Sequence, residues 1–129
     1  MGRAITVTLL VAIGGALGSI ARYWLGAAVL ARTGPAFPWG TLLINVIGGF
    51  VIGLAATGML PGARLPASTG SRLFVMTGFC GGFTTFSAYS LQTFELFEAG
   101  SIGAALLYAG GSVLLCFAAA AAGALLGRM

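Results

Sequence analysis

Apolar residues fill this chain in four long runs, each closed by arginine, proline or a short polar stretch. The first covers residues 4–30 and is interrupted only by Arg22. A turn from Arg32 to Pro38 follows, with two prolines that cannot continue a helix. The second run, 39–60, carries no charge, and a polar loop from Pro61 to Arg72 separates it from the third, 73–94. The link from Glu95 to Ser101 holds both acids and a helix-stopping Gly100, and the fourth run, 102–127, completes the chain. A bilayer core of about 30 Å needs about 20 helical residues. The pattern therefore predicts an all-α membrane protein, a single domain over residues 1–129 with four transmembrane helices joined by short connections. Cleavage of the first run as a signal peptide is disfavoured, because it is long for such a segment and contains an arginine.

Composition removes most other classes. Of 129 residues 59% are hydrophobic and only 6% charged, against about 25% charged in an average soluble chain. Eight charges cannot coat a water-soluble globule of this size. Histidine, lysine and aspartate are absent, which excludes Ser-His-Asp triads, Schiff-base lysines and the usual metal clusters, so an enzyme is not expected. Cys80 and Cys116 sit far apart within apolar runs and suggest no disulfide framework. The six arginines are scattered singly, without a basic patch, so the partner is the lipid bilayer and not nucleic acid. Four crossings place both termini on one side with Arg3, Arg64, Arg72 and Arg128, while Arg32 lies opposite. The positive-inside rule then favours cytoplasmic termini. No acid or histidine falls inside a run, so nothing can relay a proton, and passive conduction fits better than pumping. A four-span exchanger of cationic drugs would need a carboxylate in the first run, where this chain has Arg22.

Glycine supplies 22 residues, more than twice the usual share of about 7%. Pairs four apart, such as Gly14 and Gly18 or Gly49 and Gly53, predict close helix packing in lipid. The polar residues within the runs also fall on stripes: Arg22 continues the Gly14–Gly18 face, Thr41 and Asn45 are four apart, and Tyr108, Ser112 and Cys116 repeat every four. Serine and threonine often bond back to their own helix. Asn45 has a primary amide that needs partners, and both helix–helix bonding and a transport path remain open for it.

The densest feature is Thr77-Gly78-Phe79-Cys80-Gly81-Gly82-Phe83-Thr84-Thr85-Phe86-Ser87, with three glycines in five residues and then two β-branched threonines. A break is expected here, and broken membrane helices are common ion sites. Carbonyls gather a cation, while helix N-termini favour an anion. Arg22 and the neutral amide, hydroxyl and aromatic groups suit an anion better than a cation, since ring edges carry partial positive charge.

At these residues the chain resembles the Fluc family of small fluoride channels. The likeness runs from Gly14-Gly15-Ala16-Leu17-Gly18 and Arg22-Tyr23, through Gly40-Thr41-Leu42 and Asn45 to Gly48 and Gly53, to the string Gly78–Ser87. It implies a fluoride-selective channel exporting the anion from the cytoplasm across a bacterial inner membrane. It further implies a dual-topology antiparallel homodimer with two pores, its third helix broken mid-membrane. A structural sodium ion (Na+) would be held by the carbonyls of Gly81 and Thr84. Phe86 and Tyr89 would supply the pore's ring pair, Asn45 would donate to the anion, Thr41, Tyr108 and Ser112 would line the path, and Arg22 would stand near the aqueous vestibule. Three positions depart from the family's pattern: Tyr89 replaces the usual Phe, Gln92 replaces an acid, and Cys116 stands where a hydroxyl is commoner.

Overall fold

The computed structural model describes residues 1–129, and its regular elements are all helical. Helix α1 spans Gly2–Thr33 and α2 spans Trp39–Gly58. A short α3, Thr69–Leu73, leads into a π-helical segment, Phe74–Cys80, and a single turn, α4, Gly81–Phe83. After two extended residues, α5 runs Phe86–Glu98 and α6 runs Ile102–Arg128. Three of these, α1, α2 and α6, are long and apolar enough to cross a membrane. The third apolar run forms no single helix of that length, because it passes from α to π winding and back and then leaves helical geometry at Thr84 and Thr85 before α5 begins.

Local chemistry explains the stops. Gly34, at φ 74°, ends α1 in the left-handed region that glycine tolerates, and its amide bonds Leu30 O at 2.9 Å. Gly100, at φ 76°, ends α5: its amide reaches Phe97 O and the Ser101 amide reaches Leu96 O, the bond pair of a Schellman cap. Ser68 caps α3, its Oγ accepting from the Ser71 amide at 3.1 Å.

Packing is governed by glycine. The helix α1 lies on the π segment and α4, while α2 lies on α6. A Cβ placed on Gly14 would stand 2.6 Å from Phe74 O, and one on Gly78 would stand 3.0 Å from the Cα of Gly14. In the second pair, a Cβ on Gly53 would collide with the carbonyl oxygen of Ala120, and one on Gly123 with that of Phe50. Neither pair of backbones leaves room for a methyl group at these points, the small-residue mode of association available where lipid offers no hydrophobic drive. Only 16 of 129 residues are buried. The leucines of α6, among them Leu107 and Leu114, and its one phenylalanine, Phe117, therefore face outward, as suits an apolar solvent.

Replacing Gly53 with alanine should overpack the α2–α6 contact and cost about 1–3 kcal/mol, lowering the thermal midpoint in detergent. Gly103→Ala, at a site where a Cβ meets nothing within 4 Å, should leave that midpoint unchanged or slightly raised.

Candidate functional site

The chain leaves helical geometry at Thr84 (φ −80°, ψ 158°) and Thr85 (φ −152°, ψ 117°). The glycines of the preceding string are wound, as π or α helix, and the departure falls after them. Gly78 and Gly82 serve close approach to α1, the Cβ of a side chain at 82 meeting the carbonyl oxygen of Gly15. Two threonine side chains shape the interruption. Thr84 Oγ1 donates back to Cys80 O at 2.8 Å, as the Thr84 amide does at 2.9 Å. Thr85 Oγ1 accepts from the Ala88 amide at 3.2 Å and caps α5.

Asn45, on α2, holds the extended backbone. Its Nδ2 donates to Thr85 O at 3.1 Å, and its Oδ1 accepts from the Thr85 amide at 2.8 Å. A continuous helix would have given that amide to the Gly81 carbonyl. The backbone fixes the orientation of the side chain, since the Thr85 N–H needs an acceptor and the Thr85 carbonyl a donor. One Nδ2–H of Asn45 remains beyond this pair.

A groove of about 380 Å³ opens beside the interruption. It brings together Asn45, Gly81, Thr84, Phe86, Tyr89 and Ser112, with Cys80 and Cys116 also on its wall. No charged side chain lines it. Ser112 is 4% exposed, and its Oγ is buried without a hydrogen-bond partner. Phe86 is 77% exposed at the groove's edge, and its ring lies 5.3 Å from that of Tyr89. Gly81 is exposed, with open space where a side chain would stand.

Three expected residues lie elsewhere. Thr41 lines a second cavity of about 620 Å³, formed where the α1–α2 turn meets the end of α5. Gln92 and Glu95 of α5 also line that cavity. Tyr108 is buried, with its ring 5.4 Å from Tyr89 on one side and 5.4 Å from Phe37 on the other, so it stands between the groove and the second cavity. Its hydroxyl donates to Gln92 Oε1 at 3.0 Å. Arg22 is half-buried on α1 and lines neither cavity. Sequence reasoning missed two participants. The Thr85 main chain is signalled only by a threonine three residues before Ala88, in N-cap spacing. Gln92, which stands where the family's pattern has an acid, accepts the Tyr108 hydroxyl on its carbonyl oxygen.

The family described as CrcB-like protein, Camphor Resistance (CrcB), matches residues 9–124. A protein of Rhizobium leguminosarum bv. trifolii, named fluoride-specific ion channel FluC, is 54% identical over 115 residues, 89% of this chain and 90% of that protein. Proteins of the same name from Agrobacterium fabrum and Thermus thermophilus are 49% and 52% identical. They cover 92% and 83% of this chain and 94% and 83% of their own lengths. The chain belongs to the CrcB-like family.

Asn45→Leu should leave the Thr85 amide and carbonyl unpaired at a part-buried site. Each such orphan costs about 1–3 kcal/mol, so a clear fall in thermal midpoint is expected. Asn45→Asp, which keeps the acceptor and loses the donor, should fall between the two. Equal midpoints for all three proteins would show that the Asn45–Thr85 pair does not hold the interruption.

Proposed function

We propose that this multi-pass membrane protein of the CrcB-like family is a fluoride channel, selective for that anion and passive, which lets it leave the cytoplasm down its gradient. The observation that carries the reading is the composition of the groove: neutral donors and ring edges, no charged side chain, and a buried Ser112 hydroxyl with no partner. Fluoride gives up hydrogen bonds to water on entry, and an apolar channel wall cannot replace them. The free Nδ2–H of Asn45 and the Ser112 hydroxyl are donors still available to it, and the edges of Phe86 and Tyr89 present partial positive charge. With no carboxylate or histidine in the groove, the side chains hold no site that could trade a proton for the ion. The names of the relatives agree with this assignment.

The site as it stands in one chain is open on one side, where Gly81 and Phe86 are exposed. A second copy, inserted antiparallel, completes it in our reading, giving two pores with Thr41, Tyr108 and Ser112 along each and Arg22 toward the aqueous end. The interruption at Thr84–Thr85 then lies within the membrane, where irregular backbone is tolerated only against protein or water. The residues present also fit a structural sodium ion. A hard cation takes oxygen ligands. The Gly81 carbonyl has lost its helical donor to Asn45, and nothing crowds the face on which Gly81 lies. The carbonyls of Gly81 and Thr84 from both copies would hold it, and its charge would secure the pairing without taking part in transport.

Liposomes carrying the purified protein should release fluoride and retain chloride, followed with ion-selective electrodes; chloride efflux within tenfold of fluoride efflux would overturn the selectivity. Phe86→Ile should lower fluoride efflux tenfold or more while the oligomer survives size-exclusion chromatography. Exchanging sodium for N-methylglucamine throughout purification should lower the thermal midpoint of the assembly, and an unchanged midpoint removes the ion from this account.

A further inference from the structure

Tyr89 carries a hydroxyl that its neighbours have already used. The phenol donates to the carbonyl oxygen of Ala109, on α6, at 2.9 Å. Ala109 immediately follows Tyr108, whose own hydroxyl crosses back to Gln92 on α5 at 3.0 Å. The two bonds run in opposite directions between α5 and α6, from α5 to α6 at Tyr89 and from α6 to α5 at Tyr108. Between them the rings of Tyr89 and Tyr108 lie 5.4 Å apart at 46°. Phe86 has no such tether: it is 77% exposed, and a hydrocarbon ring has no hydrogen bond to offer. Of the two rings on the groove, one is therefore fastened to α6 and the other is held only by packing.

We propose that Tyr89 is a positioning residue, its hydroxyl bracing α5 on α6 so that the ring, and not the phenol oxygen, borders the groove at a fixed spacing from Phe86. The proposal rests on the fluoride-conducting reading and adds the task of one atom to it. A phenol that met the ion would have to surrender its bond to Ala109, leaving that carbonyl only its helical donor and α5 joined to α6 at this level by the Tyr108–Gln92 bond alone. With the bond kept, the phenol's donor is spent and the ring is the surface left facing the ion. The donors still free at the groove are the Ser112 hydroxyl and the Asn45 amide.

Tyr89→Phe removes the brace and keeps the ring; Tyr89→Leu removes both. Fluoride efflux from liposomes holding the full chain, measured over a range of internal fluoride, separates affinity from rate. For Tyr89→Phe the half-saturating fluoride concentration should stay within twofold of the parent while maximal efflux falls about threefold, and the thermal midpoint should drop by a few degrees. Tyr89→Leu should lose efflux tenfold or more. A rise of fivefold or more in half-saturation for Tyr89→Phe, at unchanged maximal rate, would place the hydroxyl on the ion and overturn the proposal. So would a variant identical to the parent in rate, half-saturation and midpoint. Absence of fluoride efflux from the parent itself would instead refute the conducting reading, and the midpoint of Tyr89→Phe would still decide whether the brace exists.

Discussion

Everything at the groove follows from the pairing of one side-chain amide with one peptide group. In hydrocarbon every N–H and C=O must find a partner, so a chain that stops winding must be met by something that can both donate and accept. Asn45 does both, to the amide and carbonyl of Thr85. Leucine has neither group, and an ionised aspartate has only acceptors. Because the Thr85 amide is taken, the Gly81 carbonyl loses its helical donor, and because Thr85 is extended, its hydroxyl can begin α5 afresh. The groove, the Gly81 carbonyl without its helical donor and the direction of α5 share that origin.

The glycines make the rest of the frame rigid enough for this to matter. Gly14 and Gly78 bring α1 and the π segment into backbone contact, and Gly53 and Gly123 do the same for α2 and α6. Asn45 rides on α2, Ser112 on α6, and Gly81 follows the π segment directly. Each of the two glycine-packed pairs therefore contributes residues to the groove's lining. A shift in either pair would separate Asn45 from Thr85.

Much of this was legible in the residues, and what was not has a physical reason. Helical content and the apolar runs follow from hydropathy, and the close packing of α2 on α6 follows from glycines four apart. A break is expected from the glycine-rich string together with the two threonines after it; in the fold, contact with α1 uses the glycines as wound residues, and Thr84 and Thr85 are the residues outside helical geometry. The π winding from Phe74 to Cys80 has no signature in the sequence pattern. Thr41 and Asn45 share a helix face, one turn apart on α2, and in the single chain they line different cavities.

The hydroxyls around the groove divide into two kinds, and spacing alone does not sort them. Tyr89, Tyr108, Thr84 and Thr85 have each given or received a bond within the protein, fixing α5 against α6 and shaping the interruption. Ser112 has not, although a serine on a helix usually bonds to the carbonyl four residues back. Leaving a buried hydroxyl unpaired costs about 1–3 kcal/mol, and helical serine has that cheap remedy at hand. Ser112 shares the groove with the one amide that still has an N–H to offer, and in the proposed channel an anion stripped of water would be the acceptor for both. The spent hydroxyls hold the walls still, so in that reading few free donors would have to meet the ion.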